Sequence, residues 1–251
     1  MLGKSRAMIV VTLLITALVV GLAIAAFSFH KNSDALWQIV SQQCVPDQQQ
    51  KGNPAPCESV DIDQGYVTLK DRNGPLQYLL MPVAKITGIE SPLLLDTHTA
   101  NFFLQSWQER VLLAKKRGAP VPDSAISLAI NSEYGRSQNQ LHIHLSCLRP
   151  DVRQQLDRLA PSLDEQWQPE SVQNHSYLIR TLTPEQLAQQ SVFLRLAAEV
   201  PGARGQMGKF GLALAELSDG RLVLMATERN WLKLNQASAE EIQITAVRFC
   251  R

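Results

Sequence analysis

The sequence predicts an α+β domain built on an antiparallel sheet with packed helices, preceded by one N-terminal transmembrane helix. Three observations carry that expectation: a long apolar run near the N-terminus, two hairpin signals far apart in the chain, and helical periodicity between the strands. With 251 residues, 45% of them hydrophobic, the chain can build a sizeable core, which excludes disorder as its class. Lys and Arg number 24 against 23 Asp and Glu, and a net charge of +1 argues against nucleic acid as a partner.

The apolar run covers residues 7–29, 23 positions between Arg6 and His30 without an ionisable side chain. A helix of that length spans the roughly 30 Å of bilayer hydrocarbon. Lys4 and Arg6 precede it and favour the cytoplasmic side, so residues 1–6 are expected inside and the domain from 30 to 251 outside. A cleaved signal peptide is the rival reading, with Ala23-Ile24-Ala25 as its cleavage site, although its apolar region is ordinarily shorter. Without Lys4 and Arg6 the remainder holds 22 basic and 23 acidic residues, net −1, and so lacks a polybasic patch.

Four cysteines, Cys44, Cys57, Cys147 and Cys250, suit an oxidising compartment and allow three disulfide pairings. Cys44 and Cys57 flank a polar loop, VPDQQQKGNPAP, that a bridge would staple, which would leave Cys147 to Cys250. Neither spacing resembles a zinc ribbon.

Residues 34–43 read as a short helix running into Cys44. Residues 65–70 and 76–81 read as strands joined through Asn73-Gly74, a strong hairpin signal, with Pro82 ending the second. Thr99 is expected to cap one helix from Ala100 to Lys116, closed by Gly118. Its Lys115-Lys116-Arg117 run favours the helix C-terminus and a solvated face. Strands follow at 124–130 and 139–147, a helix at 150–158 and a strand at 176–182. A helix opens at Thr183-Pro184-Glu185, a second hairpin joins 210–217 to 221–227, and a short helix begins at Ala239. No fixed-period repeat is evident, although a hairpin and a helix occur in both halves.

The chemistry lies in the strand expected at 139–147. By strand alternation Gln138, Gln140, His142, His144 and Ser146 share one face, while Leu141, Ile143, Leu145 and Cys147 face the core. One reading is a solvated sheet face. A second is a transition-metal site completed by His98, His175 or a carboxylate. The third is nucleophilic catalysis on phosphorus by a neutral imidazole, with neighbouring donors meeting the phosphoryl charge. The row holds no Asp or Glu, which favours the third reading.

Gln140-Leu141-His142-Ile143-His144-Leu145-Ser146 resembles the histidine triad motif of nucleotide hydrolases and transferases, and Leu76 to Pro82 is similar to the strand that lines their nucleotide site. More closely, the chain beyond the apolar run is similar to the bacterial CDP-diacylglycerol pyrophosphatase family, membrane-anchored members of that superfamily. NGPLQYLLMP, GIESPLL, SLAINS, HIHLSCLRPDVRQQLD, EVPGAR, ASAEEIQ and the cysteine positions carry the likeness.

The resemblance implies a histidine-triad-like sheet and a domain on the periplasmic side of the inner membrane. The implied reaction is hydrolysis of CDP-diacylglycerol, a membrane lipid, to phosphatidate and CMP. His142 matches the nucleophile that forms a cytidylyl-imidazole, and His144 the histidine that contacts phosphate oxygens and helps protonate the leaving group. Gln140 stands where the first histidine belongs and cannot relay a proton near neutral pH. Asn131 and Ser137 fall where an Asn and a Ser commonly precede the triad, and with Ser146 and Lys85 they form the expected substrate contacts. No cofactor is required on this reading, and a divalent ion stays open. Two alternatives remain: a diphosphatase of soluble nucleotides, and an exported metal- or lipid-binding module without turnover. His98 and His175 are phosphate contacts or surface loop residues, Lys85 a diphosphate contact or an exposed ion pair. Arg149 is expected to cap the motif strand, and Tyr66, Tyr78 and Phe102 to sit in the core, or on a cytosine or acyl chain.

Overall fold

The computed structural model describes residues 2–244 and 250; along the first helix the described side chains are those of Met8, residues 10–23 and Ser33. Helix α1, Leu2–Ser33, leads directly into α2, Ala35–Ile39, which continues through a widened turn to Cys44. Among the described residues no helix is long and apolar enough to cross a membrane.

The segment after Cys44 corrects the expected loop. Val45–Lys51 forms a helix, α3, with Pro46 in its first turn and Gly52 in the left-handed conformation ending it. Its proline reads as a breaker in sequence, yet a helix tolerates it at the start, where no intrahelical N–H bond is lost. Cys44 and Cys57 are disulfide-bonded across this helix, as are Cys147 and Cys250.

The ten strands among the described residues belong to one antiparallel sheet. Strands β1 (Ser59–Asp61), β2 (Tyr66–Lys70) and β3 (Gln77–Pro82) form a meander that includes the expected first hairpin. The helix expected at 100–116 is two, α4 (Phe102–Gln108) and α5 (Val111–Arg117), broken at Glu109-Arg110. Asn101 rather than Thr99 caps the first, accepting from Leu104 N, while the Thr99 hydroxyl donates to Leu93 O. Strands β4 (Ile126–Ile130) and β5 (Ile143–Leu148) follow, then α6 (Pro150–Leu159).

The second half contains β6 (Gln168–Val172), β7 (His175–Leu182), α7 (Pro184–Gln189), α8 (Val192–Glu199), β8 (Phe210–Glu216), β9 (Leu222–Glu228) and the two-residue β10 (Gln243–Ile244) against β5. Thr183 and Gln186 form a full capping box at α7.

The sheet order is β1-β2-β3-β5-β4-β8-β9-β7-β6. Each half is therefore a hairpin, a helical segment and two more strands, with the last strand paired to the hairpin: 2-3-5-4 and 6-7-9-8. The halves meet where β4 pairs with β8. One row of Cα partners crosses this seam: Leu79, His144, Ala129, Ala213, Met225, Ile179. Met225 thus stands in the second half where His144 stands in the first. Repetition exists in element order without a repeating sequence, because backbone pairing specifies the order and tolerates a different side chain at every position.

One sheet face packs under α4, α5, α7 and α8 through Phe103, Leu113, Phe193 and Leu196, and buries Tyr66, Tyr78 and Phe102, so these three aromatics serve the core. The other face carries two separate apolar caps. Val40, Cys44 and Cys57 lie over Val67, Leu79 and Met81, while Val152 and Leu156 of α6 lie over Ala213, Val223 and Met225. Between the caps lie the polar residues of β3 and β5, Gln77, His144 and Ser146, all largely buried.

The Cys147 bridge ties the C-terminus to β5 across 103 residues of chain. Closing a loop that long is expected to stabilise the fold by about 2–4 kcal/mol. A Cys147→Ser/Cys250→Ser variant should melt several degrees lower, and added reductant should lower the wild-type melting temperature by more than the variant's, which keeps only the Cys44–Cys57 bridge.

Candidate active site

The strand expected from Asn139 begins only at Ile143. Ahead of it, Asn139 N–H donates to Ser33 O and Leu141 N–H to Ile86 O, so the backbone is drawn away from β3 before pairing starts. The even-numbered row is broken as a result. The Gln138 side chain accepts from Leu36 N at the start of α2. Gln140 turns its amide inward, donating to the carbonyls of Pro82 and Ala84.

His142 and His144 remain together, their rings 5.0 Å apart and edge to face. His142 is 7% exposed, and its Nδ1 is 2.6 Å from the Gln140 carbonyl oxygen. A carbonyl only accepts, so the proton sits on Nδ1 and Nε2 keeps its lone pair. Burial first, then the neighbouring His144, holds the pKa of His142 down to about 4. His144 Nδ1 lies 2.7 Å from Gln77 Nε2, an amide nitrogen that only donates, which puts the His144 proton on Nε2. Burial holds this ring at about 4 as well. The site therefore offers one neutral ring with a free lone pair and one neutral ring with a free N–H.

That N–H is buried without a hydrogen-bond acceptor, although Glu240 Oε2 is 3.1 Å away. The distance is that of a hydrogen bond but the alignment is not, and the unmet donor faces the cavity. Glu240 belongs to the turn Ala239–Ile242 that covers β4. Asn131 Oδ1 accepts from Glu240 N–H at 3.2 Å, and the Asn131 side chain also bonds the Glu240 carboxyl. Burial pushes the Glu240 carboxyl above the usual carboxylate range against the lowering effects of Asn131 and His142. Next to it, Glu241 accepts from Tyr177 Oη at 2.6 Å and pairs with His175 Nδ1 at 2.7 Å, anchoring the turn.

Two cavities meet at the histidine pair. One, of about 620 Å³, is polar and includes Asp71, Gln77, Asn131, Arg149, Glu240 and Gln243 in its walls. The other, of about 280 Å³, lies between Leu36 and Ile39 of α2 and Leu69 and Leu79 of the sheet, with Asp71 at its edge.

The expected substrate contacts separate accordingly. Ser137 lines both cavities and Asn131 the polar one. Ser146 is buried beneath them, its hydroxyl donating to Leu76 O at 2.8 Å. Lys85 is paired with Asp34 at 3.0 Å, outside both. His98 pairs with Asp96 on an exposed loop, and His175 serves Glu241. Arg149, expected as a cap, makes a bidentate pair with Asp151 and lines the polar cavity. Among the described residues no group of three or more His, Cys, Asp or Glu gathers to hold a metal ion.

Sequence reading missed Glu240, Gln77 and Asp71. Glu240 was visible only inside the ASAEEIQ segment, about a hundred residues from the histidines, and only the long-range turn over β4 brings it in. Gln77 was legible as part of the hairpin strand expected at 76–81, but its pairing with His144 depends on the β3–β5 register.

The placement of Gln140 has a consequence. Gln140→His would supply one N–H where two are used and would leave a buried carbonyl unmet, at about 1 kcal/mol or more. Turnover is expected not to rise, and the melting temperature to fall by a few degrees, measured side by side on purified protein.

A solved HIT family hydrolase from Clostridium thermocellum is similar to this chain at 19% identity, covering 41% of this chain and 88% of that one with a TM-score of 0.30. So loose a superposition supports no argument about fold or chemistry. The family model of CDP-diacylglycerol pyrophosphatase matches residues 31–249, nearly all of the chain beyond the apolar run. The chain belongs to the CDP-diacylglycerol pyrophosphatase family, and it is a hydrolase of that diphosphate.

Proposed function

We propose that the protein cleaves CDP-diacylglycerol in two steps through a covalent adduct on His142. The observation that carries this reading is the pair of complementary tautomers at the junction of two cavities: a lone pair on His142 Nε2 and an unmet N–H on His144 Nε2. In the first step His142 Nε2 bonds to the phosphorus that carries cytidine, and the bond from that phosphorus to the bridging oxygen breaks. Phosphatidate leaves with that oxygen and its electron pair. The His144 N–H donates to a non-bridging oxygen, and the Gln140 carbonyl holds the Nδ1 proton of the imidazolium that forms. In the second step water attacks the same phosphorus, Glu240 takes its proton, and CMP departs as the imidazole is restored. Arg149, at the polar cavity, offsets the charge that Glu240 and the diphosphate bring together.

The nucleoside occupies the smaller cavity on this reading. A ring and a ribose fit about 280 Å³ between four aliphatic side chains, with Asp71 available to the ribose hydroxyls, whereas two acyl chains do not. The lipid half extends over the open polar side. The first half-sheet, hairpin to motif strand, is then a histidine-triad-like unit.

Location follows from two supports. The disulfides suit an oxidising compartment, and hence an extracytoplasmic domain. Around α1 the side chains of Val10, Leu14, Leu18 and Leu22 are all more than half exposed, as in a helix whose partner is lipid. A single-pass anchor at 7–29 in the inner membrane, with the catalytic domain periplasmic, joins these supports to the basic residues before the run.

The test is to trap the adduct. Substrate labelled in its cytidine, quenched in alkali, should leave label on a peptide containing His142. Label from the phosphatidyl side, or none under any quench, would sink the proposed mechanism.

A further inference from the structure

The chain between β9 and the Glu240 turn projects a small apolar tip. Trp231 is 75% exposed, Leu232 98% and Leu234 86%. Three large apolar side chains in four consecutive positions are a costly surface for a domain in water.

The tip is held in place by its base. Asn230 and Asn235 exchange both backbone hydrogen bonds, and the Asn230 side chain accepts from Lys233 N at 3.1 Å. Asn235, itself buried, donates to Thr227 Oγ1 and Glu228 O. Leu234 adopts φ +52°, a left-handed conformation uncommon for leucine, which shows the turn overriding a local preference. The leucines are therefore presented rather than merely left out.

Cations flank them. The Arg229 guanidinium lies 3.6 Å from the centre of the Tyr134 ring and 4.2 Å from that of Trp231, stacked between the two, and Lys233 sits within the tip. Glu228 and, beside Tyr134, Glu133 are the nearby carboxylates, both exposed. Tyr134 belongs to the segment whose Asn131 and Ser137 line the polar cavity, so the tip adjoins the catalytic mouth.

We propose that Trp231, Leu232 and Leu234 insert into the surface of a phospholipid bilayer, with Arg229 and Lys233 meeting anionic headgroups, so that the catalytic mouth opens onto the membrane that holds the substrate. Tryptophan and leucine beside Lys and Arg suit the headgroup boundary, where the apolar parts sink and the charges stay wet. This inference rests on the family's lipid substrate and is independent of the histidine chemistry.

The full chain reconstituted in phosphatidylcholine–phosphatidylglycerol vesicles tests it. Lipids brominated on the acyl chains should quench wild-type fluorescence beyond that of Trp231→Phe, and acrylamide should not reach Trp231. Leu232→Ser/Leu234→Ser should turn over long-chain CDP-diacylglycerol in vesicles roughly a hundredfold more slowly, the lower end of the scale set by withholding two leucines from an apolar phase. A water-soluble short-chain analogue should be hydrolysed at the wild-type rate, which separates failure of contact from failure of catalysis. Free access of acrylamide to Trp231 in vesicles overturns the proposal. Protection from both quenchers, which marks burial against protein, overturns it too, as does equal loss on both substrates. The conservative Trp231→Phe comparison decides the matter even if the double variant fails to fold.

Discussion

His142→Ala is expected to lose turnover of CDP-diacylglycerol by at least about 10³-fold, the scale on which removal of a covalent nucleophile acts. The adduct should vanish with it, and free imidazole should restore part of the rate by filling the space left behind. Nδ1 is spent on the Gln140 carbonyl, so Nε2 alone can reach phosphorus. Holding the ring near 4 keeps that lone pair available far below the ordinary histidine range. The acid limb of kcat/KM set by the nucleophile should accordingly lie near pH 4 and not near 6.5. Stability changes in the same window. Between the unfolded value near 6.5 and the folded value near 4, the unfolded chain binds more protons, so stability falls as pH drops through that range. His142→Asn should soften this loss, as read from denaturant midpoints at several pH values, and a variant whose midpoints track the wild type throughout would contradict the buried neutral ring.

Glu240→Gln should slow release of CMP by about 10²–10⁴-fold while leaving the first step largely intact. The signature is a burst: one equivalent of phosphatidate per enzyme, then a slow steady state, with labelled adduct accumulating. Burial pushes the Glu240 carboxyl upward, which makes it a stronger base once ionised and should give turnover a rising limb with pH above the usual carboxylate range. That limb should disappear in Glu240→Gln. Equal slowing of both steps without a burst would assign Glu240 to holding the site together. Asn131→Ala, which frees the same carboxyl from its clamp, should move the limb without removing it.

Much of the architecture was readable along the chain because its signals are local. Asn73-Gly74 marks the first hairpin, Thr183-Pro184 the start of α7 and Gly118 the end of α5. The errors share a cause in long-range contacts. Val45 to Lys51 looked like a loop because its composition is polar and contains proline. The segment 138–142 looked like strand by alternation, until its N–H groups found Ser33 and Ile86. The site divides the same way. His142 and His144 announce themselves by type and spacing, and their neutral state comes from burial that no spacing encodes. Ser146 and Lys85 have suitable chemistry but the wrong surroundings, the one beneath the cavity floor and the other occupied by Asp34. Gln140 contributes through its main chain, a role to which the identity of its side chain gives no clue.

The row that runs from Leu79 through His144 to Met225 and Ile179 bears on how such a molecule can change over time. Two similar half-sheets on separate chains would have to mutate together, because one gene would encode both. Joined in one chain, each half is free to specialise. One position holds an imidazole beside an open cavity, while its counterpart holds a methionine sealed under α6. The seam between β4 and β8 also cannot be lost by dilution, since the tether maintains a high effective concentration of one half for the other. An enzyme arranged in this way keeps its catalytic half fully supported at any concentration.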